Sequence, residues 1–134
     1  MLNIKKVDHI AIATTNLKTS IIFFEKLGFK CKKKQTLTDQ NIKIAIINIG
    51  NINIELITPI NNKSTIFKFL QKKGNALHHI ALKTTNIKSD IKTLKSHKIN
   101  LLSKTIQSGN LDSKIIFIDP KNSEKILIEL IQKK

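Results

Sequence analysis

The stretch VDHIAIATTNL, Val7 to Leu17, is written a second time as LHHIALKTTNI, Leu77 to Ile87. His9, Ile10, Ala11, Thr14, Thr15, Asn16 and Lys18 recur as His79, Ile80, Ala81, Thr84, Thr85, Asn86 and Lys88. A repeat of this size constrains a chain more than local propensity does, because it demands two copies of one supersecondary unit and a way of packing them. The flanking patterns agree. In the first half an alternating strand over Lys6 to Thr14 leads to a helix over Leu17 to Leu27, with Ile21, Ile22, Phe24 and Leu27 on its apolar side and Asn16 as N-cap. Strands are predicted over Lys30 to Leu37, Ile42 to Ile49 and Asn51 to Thr58, the last two joined at NIGN. The second half repeats the order: a strand over Leu77 to Lys83, Asn86 as cap, a helix over Ile87 to His97, and strands over Asn100 to Ile106, Lys114 to Asp119 and Lys125 to Gln132. Between them, NNKSTIFKFLQKKG predicts a linking helix over Thr65 to Lys72, closed by Gly74. The expected class is α+β: two β-α-β-β-β modules, at about 4–60 and 76–133, joined by a helix at 64–73 and packed as one domain with pseudo-twofold symmetry.

Composition narrows the function. A chain of 134 residues suits a single domain. Its apolar runs fall short of the ~18 residues that cross a bilayer, and MLNIKKVDHI lacks the apolar segment of a secretory signal, so a cytoplasmic location is expected. The single cysteine, Cys31, fits a reducing compartment and argues against a disulfide or a cysteine-based zinc framework. The net charge of +15 would suggest nucleic acid, but all 24 basic residues are lysine, spread over nearly every segment, with few aromatics among them for bases to stack on. Such a bias is what an AT-rich genome imposes, and nucleic acid is not the expected partner.

The repeat also carries chemistry. NIELITP at Asn53 to Pro59 and LIELIQ at Leu127 to Gln132 give each half a Glu in its last strand, to match the His in its first. Strand alternation turns Ile54 and Leu56 away from Glu55, and Ile128 and Leu130 away from Glu129, so the aliphatic neighbours can face helices while both carboxylates share the other face. The same alternation separates His9 from Ile10 and His79 from Ile80. A Glu inside an apolar strand is costly to bury unless paired or bound to a cation. Two imidazoles and two carboxylates suit a divalent first-row ion, Co²⁺, Mn²⁺, Ni²⁺ or Zn²⁺. His78 aligns with Asp8 and is read as a support or substrate-binding residue; His97 is read as solvated.

On these motifs the chain resembles the vicinal oxygen chelate superfamily, and within it the methylmalonyl-CoA epimerase family. VDHIAIATTNL, IELITP, STIFKFLQKKG running into ALHHIAL, and the ending FIDPKNSEKILIEL follow that family's order over nearly the whole chain. The resemblance implies a curved mixed sheet around a metal at His9, Glu55, His79 and Glu129, with Co²⁺ as the first expectation. It also implies an isomerase that epimerises methylmalonyl-CoA at C2, Glu129 as a proton-transfer base, an acyl-CoA partner and a homodimer. Lys114 and Lys121 are candidate contacts to the coenzyme A phosphates. Glyoxalase I chemistry on the same metal set, and a metal-free binding protein on the same fold, are the alternative readings. Two departures stand out. Ile44 occupies the position where some epimerases carry a second catalytic Glu. The turns at SGNLDSK and SEK are poorer in glycine than the resemblance leads one to expect.

Overall fold

The computed structural model describes residues Met1 to Lys134. Eight strands and three α-helices follow in the order β1 (Ile4–Ala13), α1 (Leu17–Lys26), β2 (Cys31–Leu37), β3 (Ile42–Ile49), β4 (Ile52–Pro59), α2 (Thr65–Lys73), β5 (Ala76–Thr84), α3 (Ile87–Ser96), β6 (Gln107–Ser108), β7 (Lys114–Ile118) and β8 (Ile128–Gln132). None of the helices is long and apolar enough to cross a membrane. The chain divides into two compact units, His9–His78 and Met1–Asp8 with His79–Lys134, whose boundaries fall inside β1 and β5.

In the unit His9–His78 the strand order is β2-β3-β4-β1, with β1 parallel to β4 and the other pairs antiparallel. One face, bearing Ala45, Ile47 and Leu56, packs on Ile21 of α1. The other, bearing Ala11, Ala13, Ile42, Ile44 and Ile57, packs on Ile66 and Leu70 of α2. The linking helix therefore covers part of the sheet face opposite α1.

The second unit has the order β5-β8-β7-β6, with β5 parallel to β8. Leu130, Ile116 and Ile118 bury against Ile87 and Leu94 of α3. On the opposite face Ala81, Ile115 and Ile131 form a small apolar floor with Phe117. The amino-terminal segment belongs to this unit. Leu2 and Ile4 join its core, and Lys133 Nζ lies 2.9 Å from Asp8 Oδ1. Asn3 is clamped by the fully buried Asp90 of α3: its backbone N–H and its Nδ2 both donate to Asp90 Oδ1 at 2.8 Å, and the Thr85 N–H donates to the Asn3 carbonyl at 3.2 Å.

The repeated Thr and Asn build the strand-to-helix corner. Asn16 accepts from the Thr19 N–H and Asn86 from the Ser89 N–H, capping α1 and α3. Thr14 Oγ1 accepts from the Asn16 N–H and meets the Ser20 hydroxyl; Thr84 Oγ1 accepts from the Asn86 N–H and donates to Asp90 Oδ2. At each corner two polar residues thus satisfy two of the donors that a helix start leaves open.

Two predicted strands are shorter than the pattern suggested. The strand over Asn100 to Ile106 reduces to a single bridge at Leu101–Ile118, followed by the two-residue β6. Here the Ser103 hydroxyl donates to the Thr105 carbonyl at 2.8 Å, a local bond that bends the chain in place of a ladder. The last strand begins at Ile128 and not at Lys125. Glu124 and Lys125 have φ of 57° and 68°, and the Ile126 N–H closes the turn onto the Ser123 carbonyl at 3.0 Å.

Two stability outcomes follow from this packing. Asp90→Ala strands three donors and is expected to lower the unfolding free energy by about 2–4 kcal/mol in urea titration. Two consecutive left-handed residues are the pattern of a type I′ turn, which favours Asn-Gly, so Glu124→Asn with Lys125→Gly is expected to raise stability by about 1 kcal/mol in the same assay.

Candidate metal centre

Each unit presents one buried imidazole–carboxylate pair, built in the same way. In the first, β1 and β4 run parallel with Ala11 opposite Glu55, and His9 stands two residues before that alanine. His9 Nε2 lies 3.4 Å from Glu55 Oε2, with side-chain exposures of 2% and 9%. In the second, β5 and β8 run parallel with Ala81 opposite Glu129, and His79 stands two residues before it. His79 Nε2 lies 3.2 Å from Glu129 Oε2, with exposures of 4% and 5%.

The alanines explain the H-I-A kernel. Ala11 and Ala81 are wholly buried directly across from the carboxylates. A larger side chain there would occupy the space into which Glu and the neighbouring His converge.

The pairs fit a metal. Two ligand atoms each about 2.1 Å from one ion and at right angles to it lie about 3 Å apart, close to both observed separations. Imidazole nitrogen and carboxylate oxygen are the donors of a divalent first-row site, and a single pair fills at most half of such a shell. The carboxylates face away from the main helices, as alternation required: Leu56 and Leu130, not Glu55 and Glu129, meet α1 and α3.

The neighbours are aromatic and aliphatic. Phe117, the cross-strand partner of Glu129, sets its ring at 87° to His79 with centroids 5.1 Å apart. Sequence reading passed over Phe117, although its place two strands from the repeat and its pairing with the Glu strand were the available signal. Ile44 is fully buried in β3, opposite Ile57 and among Ala11 and Ala13, so this position offers no group able to carry a proton.

The remaining candidates lie elsewhere. His78 stacks edge-on against Phe69 of α2, centroids 4.8 Å apart, and alternation turns it away from His79. Lys114 is exposed and alternates with Ile115 and Phe117, on the face opposite Glu129. Lys121 is exposed in a 3₁₀ turn, its N–H bonded to Asp119 Oδ1 at 3.0 Å.

Residues 8–117 match the model of the Glyoxalase/Bleomycin resistance protein/Dioxygenase superfamily. The chain belongs to it. Within it, the mitochondrial methylmalonyl-CoA epimerase of Homo sapiens is 33% identical over 132 residues, covering 97% of this chain and 75% of that one, and places the chain in the methylmalonyl-CoA epimerase family. The crystal structure of methylmalonyl-CoA epimerase from Mycobacterium tuberculosis superposes with a TM-score of 0.96 at 28% identity, over 100% of this chain and 91% of that one. A substituted Streptomyces coelicolor methylmalonyl-CoA epimerase in complex with 2-nitronate-propionyl-CoA superposes with a TM-score of 0.92 at 26% identity, over 97% and 95%. The glyoxalase-type fold implied by the resemblance is thus the fold of this family member.

Because the two pairs are equivalent in register and burial, His9→Ala and His79→Ala are expected to weaken binding of a divalent ion to similar extents, each by 100-fold or more. Isothermal titration of the metal-stripped protein with Co²⁺ measures this, and circular dichroism checks that both variants stay folded.

Proposed function

We propose that this protein is an isomerase that interconverts the C2 epimers of methylmalonyl-CoA, with His9, Glu55, His79 and Glu129 holding one divalent metal ion. The observation that carries the reading is the doubled His–Glu pair, buried at one register in both units of a chain from the methylmalonyl-CoA epimerase family. Co²⁺ is the ion to which the family resemblance points; Mn²⁺, Ni²⁺ and Zn²⁺ suit the same donors. The proposed state is a cytoplasmic homodimer.

Epimerisation removes the proton alpha to the thioester carbonyl and returns one to the opposite face. That carbon acid is far weaker than a carboxylic acid, so a carboxylate can act as base only where the developing enolate charge is stabilised. A divalent ion held by His9, Glu55, His79 and Glu129 would supply this stabilisation as a Lewis acid. Glu129 is the proposed base on one face. Its surroundings, Phe117 above the His79 ring and the floor of Ala81, Ile115 and Ile131, keep water from the carboxylate.

A second base is needed on the other face. With Ile44 aliphatic, Glu55 is the sole buried carboxylate of the unit His9–His78 and is proposed for that role. His9, paired to it at 3.4 Å, holds its orientation.

Proton NMR of methylmalonyl-CoA in D₂O tests the assignment. Glu129→Gln is expected to lower epimerisation by about 10²–10⁴-fold, the usual contribution of a positioned general base. Exchange of the C2 proton of one epimer, drawn from the face served by Glu55, is expected to outlast the loss of epimerisation. Wild-type turnover in the folded variant would remove Glu129 from the mechanism.

A further inference from the structure

Ser113 precedes β7 and is 2% exposed, and its hydroxyl has no hydrogen-bond partner. A buried hydroxyl left unpaired is disfavoured, and it persists in a folded protein where something else uses it. Its position says what that is. Phe117 pairs with Glu129 and Ile115 with Ile131, and Ser113 continues the same alternation, so the three share the face of the carboxylate. A methyl group built on Gly109 would come within 2.6 Å of both Ser113 Oγ and Ile115 Cγ2, which sets the hydroxyl beside Ile115 on that face. Four residue steps of strand separate Ser113 from Phe117, the partner of Glu129, about 13 Å at the usual rise.

A thin cover lies over it. The turn Asn110–Ser113 is closed by the Ser113 N–H on the Asn110 carbonyl, and the Gly109 N–H bonds the Ser113 carbonyl, both at 2.9 Å. The central residues Leu111 and Asp112 have φ of 51° and 60°, a left-handed pair in which neither is glycine. Leu111 is disfavoured in that region, so the closed turn is held against its local preference. The side-chain position that would crowd the hydroxyl belongs to a glycine, the least bulky cover a chain can offer.

We infer that Ser113 is a positioning residue for the acyl-CoA, its hydroxyl bonding the distal amide of the pantetheine arm when the 109–113 turn lifts from β7. This rests on the epimerase reading. A thioester held beside Glu129 and extended along β7 carries its second amide roughly 10 Å from the thioester carbon, by extended-chain dimensions, which leaves one hydrogen-bond length to Ser113.

The test compares Ser113→Ala with wild type on methylmalonyl-CoA and on the methylmalonyl thioester of N-acetylcysteamine, which keeps the near amide and lacks the distal one. Expected for the variant are a KM for methylmalonyl-CoA about five- to tenfold higher, the loss of one neutral hydrogen bond, with kcat within twofold. On the short thioester its kcat/KM should equal that of wild type. Its thermal midpoint should be unchanged or higher, since an unpaired polar atom has been removed. An unchanged KM, equal losses on both substrates, or a lowered midpoint overturns the assignment. If wild type turns over neither thioester, the epimerase reading falls by itself. Calorimetric titration with coenzyme A then decides the role of Ser113: a Kd five- to tenfold weaker in the variant upholds it, and an equal Kd removes it.

Discussion

A carboxylate inside an aliphatic strand is the constraint around which this protein is arranged. Glu55 and Glu129 are 7% and 4% exposed, each flanked by isoleucine and leucine, and transfer of an unpaired carboxylate to such surroundings costs several kcal/mol after relaxation. Each is met by one imidazole nitrogen at 3.2–3.4 Å. That solution requires a parallel strand pair, a small residue opposite the Glu, and a His two positions before it. The remainder of each unit keeps those strands in register: a capped helix on the far face and antiparallel strands on the outer side.

The repeated kernel divides by role once the contacts are known. Histidine gives the donor atom and alanine gives the space. Threonine and asparagine turn the strand into its helix, through the same bonds at Thr14 and Asn16 as at Thr84 and Asn86. The halves then diverge. Thr14 meets the hydroxyl of Ser20, whereas Thr84 meets the carboxylate of Asp90, and that carboxylate in turn captures Asn3. One duplicated corner has become an anchor for the chain terminus.

Membership in the methylmalonyl-CoA epimerase family and the doubled pair point to proton transfer beside a thioester. Both turns that the sequence showed as poor in glycine, around Leu111–Asp112 and Glu124–Lys125, adopt the left-handed geometry that glycine favours. They take up the conformation without the residue suited to it, a form of local strain that concentrates near functional segments.

Alternation and repetition are local and periodic, so they were legible in the chain itself: the two β-α-β-β-β modules, the caps at Asn16 and Asn86, and the sharing of one strand face by each His and its Glu partner. The short bridge at Leu101 and the late start of β8 were not, since a side-chain bond from Ser103 and a left-handed pair at Glu124–Lys125 outweigh strand propensity without altering the hydrophobic pattern. Long-range contacts decided the rest. Only in three dimensions does the first strand's beginning join the second unit, does Phe117 reach His79, and does Ser113 lie beneath Gly109 with its hydroxyl unpaired. The sequence by itself determined which residues could bind and the period on which they recur; tertiary packing determined which of them are kept dry, because burial depends on neighbours far away along the chain.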